Sequence, residues 1–65
     1  MSAFVLVVYV GSDTRYVRDV CFAERRVRVT TLRDRAAQFT PSQCEYYLGR
    51  LADERFPYQF GRIAA

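Results

Sequence analysis

The feature that most constrains this chain is its opening run, Ala3-Phe4-Val5-Leu6-Val7-Val8-Tyr9-Val10, which is apolar without interruption and rich in β-branched and aromatic residues. It is far too short to span a bilayer, and it has neither the basic leader nor the cleavage pattern of a signal peptide. The cluster Gly11-Ser12-Asp13-Thr14 that follows is a turn. A strand apolar on both alternating faces needs cover on both sides, so it belongs at the centre of a sheet. The chain has 65 residues, which makes residues 1–65 a single domain. Domains near this size bury only about 60% of the surface their unfolded chains expose, and they often lean on a partner or a second copy. With 51% hydrophobic residues the chain is not disordered.

Arg15–Phe22 reads as a second strand with imperfect alternation: Tyr16, Val20 and Phe22 share a face with Arg18, and Val17 and Cys21 share the other with Asp19. After a connection at Ala23–Arg25, Arg26–Thr31 alternates cleanly, with Val27 and Val29 on one side and Arg26, Arg28 and Thr30 on the other. Leu32–Phe39 suits one helical turn with Leu32, Ala36 and Phe39 inward. Thr40-Pro41-Ser42-Gln43 is a helix start, with Thr40 as cap, Pro41 at the first helical position and Gln43 completing a capping box. Phe39 and Cys44 fit the hydrophobic staple. The helix is expected from Pro41 to Arg55, with Cys44, Tyr47, Leu48, Leu51 and Arg55 as its inward stripe and Gln43, Glu45, Arg50, Asp53 and Glu54 in water. Gly49 in mid-helix suggests a close approach to a strand or partner. Pro57 ends the helix, and Tyr58–Ile63 is a short last strand. The expected fold is α+β: an antiparallel three-stranded meander, one helix packed on one face and a fourth C-terminal strand (βββαβ). The spatial order is three, two, one, four. The face away from the helix would receive apolar side chains from the first strand with nothing to cover them, which points to a homodimer or a partner there.

Several kinds of chemistry lack their residues. Without histidine the usual general base near neutral pH is missing. Two distant cysteines cannot by themselves make a zinc site, and three isolated glycines form no phosphate loop. The chain is read as non-enzymatic, with no catalytic residues, no metal and no cofactor. Cys21 and Cys44 are either buried free thiols or one bridge.

All ten cations are arginines, against seven carboxylates, for a net charge of +3. Arginine grips planar anions through a rigid fork of donors, although a GC-rich coding sequence favours it too. The densest group is Arg25, Arg26, Arg28, Arg33 and Arg35. Arginines on a sheet face beside aromatics suit nucleic-acid phosphates and bases, or an acidic protein, unless they are only solvated charges paired with Asp19, Glu24 and Asp34. Tyr46, one turn before Arg50 on the outer helix, is the kind of residue that anchors protein interfaces, unless it lies over a core edge. Glu45, Asp53 and Glu54 are too few for a nucleic-acid mimic and read as ordinary helix solubility.

Taken together, Val5-Leu6-Val7-Val8-Tyr9, Arg15-Tyr16-Val17, the stretch Thr30-Thr31-Leu32-Arg33-Asp34-Arg35-Ala36-Ala37-Gln38-Phe39-Thr40-Pro41 and Tyr58-Gln59-Phe60 resemble small bacteriophage and prophage accessory proteins, a group that includes anti-CRISPR proteins. The resemblance is at the level of fold and carries over no functional residue. It implies an inhibitor that binds and blocks a host nucleoprotein defence complex in the host cytoplasm, with Arg25, Arg26, Arg28, Arg33, Arg35, Tyr46 and Arg50 as partner-binding residues. The alternatives are a small nucleic-acid-binding regulator using the arginine-bearing sheet face, and an assembly protein acting by oligomerisation. No membrane association is expected.

Overall fold

A computed structural model describes residues 3–65. The chain runs β1 (Phe4–Val10), β2 (Asp13–Cys21), β3 (Arg26–Thr30), a 3-10 turn (Arg33–Arg35), α1 (Pro41–Asp53) and β4 (Gln59–Ala64). The four strands form one antiparallel sheet in the order β3-β2-β1-β4. This is the expected α+β architecture, with the apolar first strand at the centre.

The uneven alternation of β2 has a specific cause. Val17 pairs with Val29, then Asp19 with Arg28 and Val20 with Val27, so one extra residue, Arg18, is accommodated as a bulge. The bulge reverses the faces expected for half the strand. Val17 and Val20 lie together on the helix-bearing face, while Tyr16, Asp19 and Cys21 lie on the outer face. β2 also starts two residues earlier than expected, at Asp13. Beyond Val7–Tyr16 the β1–β2 ladder stops. The segment before the helix fills the gap: Ala37 N–H donates to Val17 C=O at 3.1 Å, and Phe4 and Phe39 exchange two backbone hydrogen bonds of 2.8 Å. Phe39 is buried with Leu6, Val17 and Cys44. The 3-10 turn spans only Arg33–Arg35, and Leu32 is exposed, not tucked inward as expected.

α1 begins as expected. Thr40 accepts from Gln43 N–H at 3.2 Å, and Gln43 accepts from Thr40 N–H at 2.9 Å. Its end is two residues earlier than expected. Arg55 has φ 54°, Arg55 N–H bonds to Ala52 C=O, and Phe56 N–H reaches back to Leu51 C=O. This is a Schellman stop built on arginine where glycine is usual. It removes Arg55 from the inward stripe and turns Phe56 back into the core, where it is buried. Gly49 is exposed, and a Cβ there would meet nothing within 4 Å, so it marks no close approach within the chain. Gly49→Ala should therefore stabilise by about 1 kcal/mol, raising the thermal midpoint by about 4–8 °C in a domain this small. Arg55→Gly should act in the same direction by relieving the left-handed backbone. Thermal unfolding followed by circular dichroism measures both.

The outer face corrects a second expectation. Val5 and Val7 point there, yet they are only 2% and 1% exposed within the single chain. Val7 lies between its ladder partners Tyr16 and Gly61, and the Tyr9 ring folds over Gly61 so closely that a Cβ would stand 3.0 Å from its hydroxyl. Val5 lies beside Arg33, Asp34 and Gln38. Cover comes from tyrosines and from the 3-10 segment, so no second copy is needed to bury these valines. The exposed valines, Val10 and Val29, are instead on the helix-bearing face. A thirteen-residue helix is about 20 Å long and does not cover the whole sheet. Val8 and Val10 of β1, Val27 and Val29 of β3, and Tyr58 line an open groove of about 160 Å³ to which α1 contributes nothing.

Candidate partner-binding surface

The structure divides the arginines singled out in the sequence into two sets. Arg25 and Arg50 serve the fold. Arg25 sits in the β2–β3 turn with φ 53°. This aims its guanidinium at the C-terminal end of α1, where it donates to Glu54 C=O at 2.9 Å. A cation suits the negative end of a helix dipole. Its guanidinium also lies 4.8 Å from the Phe56 ring centroid. Arg50 donates to the Glu54 carboxylate at 2.5 Å and to the Tyr46 hydroxyl at 2.9 Å, and it stacks 4.1 Å over Phe22. Its hydrogen bond to Glu54, then that to Tyr46, raises its pKa further.

Phe22 is the hub of this junction. It stacks on Tyr47 at 5.7 Å and meets Phe56 edge-on at 6.0 Å. Tyr46 is 57% exposed but lies edge-on to Tyr47 at 5.6 Å, with its hydroxyl taken by Arg50. The anchor expected from the sequence is thus partly occupied in holding the β2–β3 turn against the helix.

The second set lies at β3 and beyond. Arg26 pairs with Glu24, with both side chains about half exposed. Arg33 crosses to donate to Ala64 C=O. Arg28, opposite Asp19 in the ladder, and Arg35 make no ion pair or side-chain hydrogen bond among the described residues, and both are exposed. Arg26 and Arg28 therefore stand on the outer face of an edge strand, while Val27 and Val29 of the same strand border the groove on the opposite face. Tyr16 and Tyr9 share the outer face with them.

The groove was not legible in the sequence as a site, because valines alternating with arginines read as core. The signal that would have found it is the shortness of the helix relative to the sheet. Cys21 and Cys44 are free. Cys44 is fully buried, and burial pushes its thiol pKa up, opposed more weakly by the charge of Arg62. Cys21, half-buried on the outer face, should react with a thiol reagent in the native protein, and Cys44 only on unfolding. The Cys44 contribution to stability is complete below the ordinary thiol value of 9.0 and is lost as pH rises from there through its higher folded value. Denaturant midpoints measured across that range should fall, and Cys44→Ala should abolish this part of the fall.

Among the described residues no three His, Cys, Asp or Glu side chains gather as metal ligands. No helix there is long and apolar enough to cross a membrane. Comparison with family models, curated proteins and solved structures found no match to this chain.

Proposed function

We propose that this chain is a non-enzymatic binding protein of the phage-inhibitor kind, which blocks a host nucleoprotein defence complex in the host cytoplasm by occupying one of its sites. One observation carries this reading: Arg26 and Arg28 are displayed on an exposed edge strand, followed in sequence by Arg35, while Arg25 and Arg50 are committed to the fold. Arg28 and Arg35 have no ion-pair partner among the described residues, and the Arg26–Glu24 pair is exposed and readily exchanged, so all three guanidiniums are available to carboxylates or phosphates of another molecule. The contact residues are then Arg26, Arg28 and Arg35, with Arg33 and Tyr46 as secondary contributors.

Tyr9 and Tyr16 on the same outer face favour a second reading, a small nucleic-acid binder in which aromatics stack on bases and arginines track phosphates. Capture of host complexes on the immobilised protein, with and without nuclease, separates the two. Blocking of a protein surface predicts a specific complex that survives nuclease and is lost with Arg28→Glu. Direct nucleic-acid binding predicts retention that nuclease abolishes and that weakens steeply with salt. Absence of any specific complex would refute the inhibitor reading.

A further inference from the structure

β3 closes one side of the sheet, and no strand among the described residues pairs with its outer edge. An open edge is a template for one more strand, because main-chain groups there lack ladder partners. Its two faces differ sharply in chemistry. Arg26 and Arg28 project to the outer face, and Val27 and Val29 border the apolar groove with Val8, Val10 and Tyr58.

We propose that β3 receives, as an added strand, an extended segment of a protein partner in which acidic and apolar residues alternate. Cross-strand neighbours lie about 4.5–5.5 Å apart. Acidic residues of such a segment would therefore stand beside Arg26 and Arg28, and its apolar residues would stand beside Val27 and Val29, widening the apolar rim that these valines form. Glu24 holds Arg26 in the free protein, but that pair is exposed and readily exchanged. Asp19 opposes Arg28 from β2 and leaves its other side open.

A second copy of the chain is a poor occupant. The antiparallel register that pairs the whole of β3 with its own copy sets Arg28 against Arg28, and like charges directly opposite destabilise a sheet. A polynucleotide would match the arginines but could neither continue the ladder nor set apolar side chains beside Val27 and Val29. The other edge, β4, lacks the pattern: Gln59, Gly61 and Ile63 face outward, and the Ala64 carbonyl is taken by Arg33.

This inference rests on the chain being a partner-binding protein, and it names the partner's chemistry. The probe is the end-blocked peptide Thr-Glu-Val-Glu-Val-Glu-Thr, titrated into the full chain while backbone amide signals are followed by NMR. Shifts are expected in β3 and, more weakly, in its ladder partner β2. They should be absent with a peptide of the same composition in blocked order and with one N-methylated at alternate amides, which keeps the side chains but cannot pair. Arg28→Glu should weaken binding about fivefold, and Arg28→Lys should largely retain it. No binding, or equal binding of the shuffled or N-methylated peptide, overturns the proposal. So does dimerisation through β3 in sedimentation, or stronger perturbation of the same residues by oligothymidylate. Failure of the peptide with nuclease-resistant capture intact removes the edge site alone; loss of capture with peptide binding intact removes the inhibitor reading alone.

Discussion

Leu6→Ala is expected to bring the protein close to unfolding at room temperature. Leu6 is completely buried at the centre of the sheet, against Val17, Phe39 and Cys44. Truncating a fully buried leucine costs about 2–5 kcal/mol through lost transfer energy and the cavity left behind. A domain of this length has a total stability of about 3–10 kcal/mol. The single change thus removes a large part of it. Urea unfolding should show a much lower midpoint, whereas Val29→Ala on the open groove should shift it by no more than about 0.5 kcal/mol. Equal effects at the two positions would mean that the core does not lie under α1.

Phe39→Ala should be at least as damaging, by about 3–5 kcal/mol, and for a more particular reason. Phe39 fixes the segment that takes over from β2 beside the first residues of β1, and its ring meets Tyr47 edge-on at 5.1 Å. Phe39→Leu keeps the bulk but loses the aromatic contact, so it should recover most of the stability. Exchange of the Phe4 amide hydrogen reads the local effect: that hydrogen is held by Phe39 C=O and should lose protection first in Phe39→Ala. Unchanged protection at Phe4 would refute the coupling.

These effects show which parts of the fold were visible in the sequence. The apolar run of β1, the alternation of β3 and the Thr40–Gln43 box each express a local rule, and each element formed close to where that rule placed it. The bulge at Arg18 did not follow from local pattern. Its register depends on β3, and only the pairing decides that Val17 and Val20 share a face. The early stop of α1 was hidden for a similar reason: Arg55 adopts a backbone conformation that glycine usually marks, so the sequence carried no glycine signal. For the candidate surface, the sequence identified the arginine-rich region but could not separate its members. Arg25 and Arg50 look no different from Arg28 until the β2–β3 turn folds against the helix end, because Glu54 and Phe56 lie far from Arg25 along the chain.

The place of β1 bears on how the protein survives its own synthesis. β1 is made before both strands that flank it in the finished sheet, and beyond its hairpin with β2 its neighbours, the Phe39 segment and β4, are made much later. Until both arrive, Phe4–Val10 is an uncharged, β-branched stretch without proline. That composition is what drives cross-β aggregation when it is left exposed. β4 is therefore a guard as well as a strand: a chain that loses it should accumulate as insoluble material, however well its remaining helix and hairpin form.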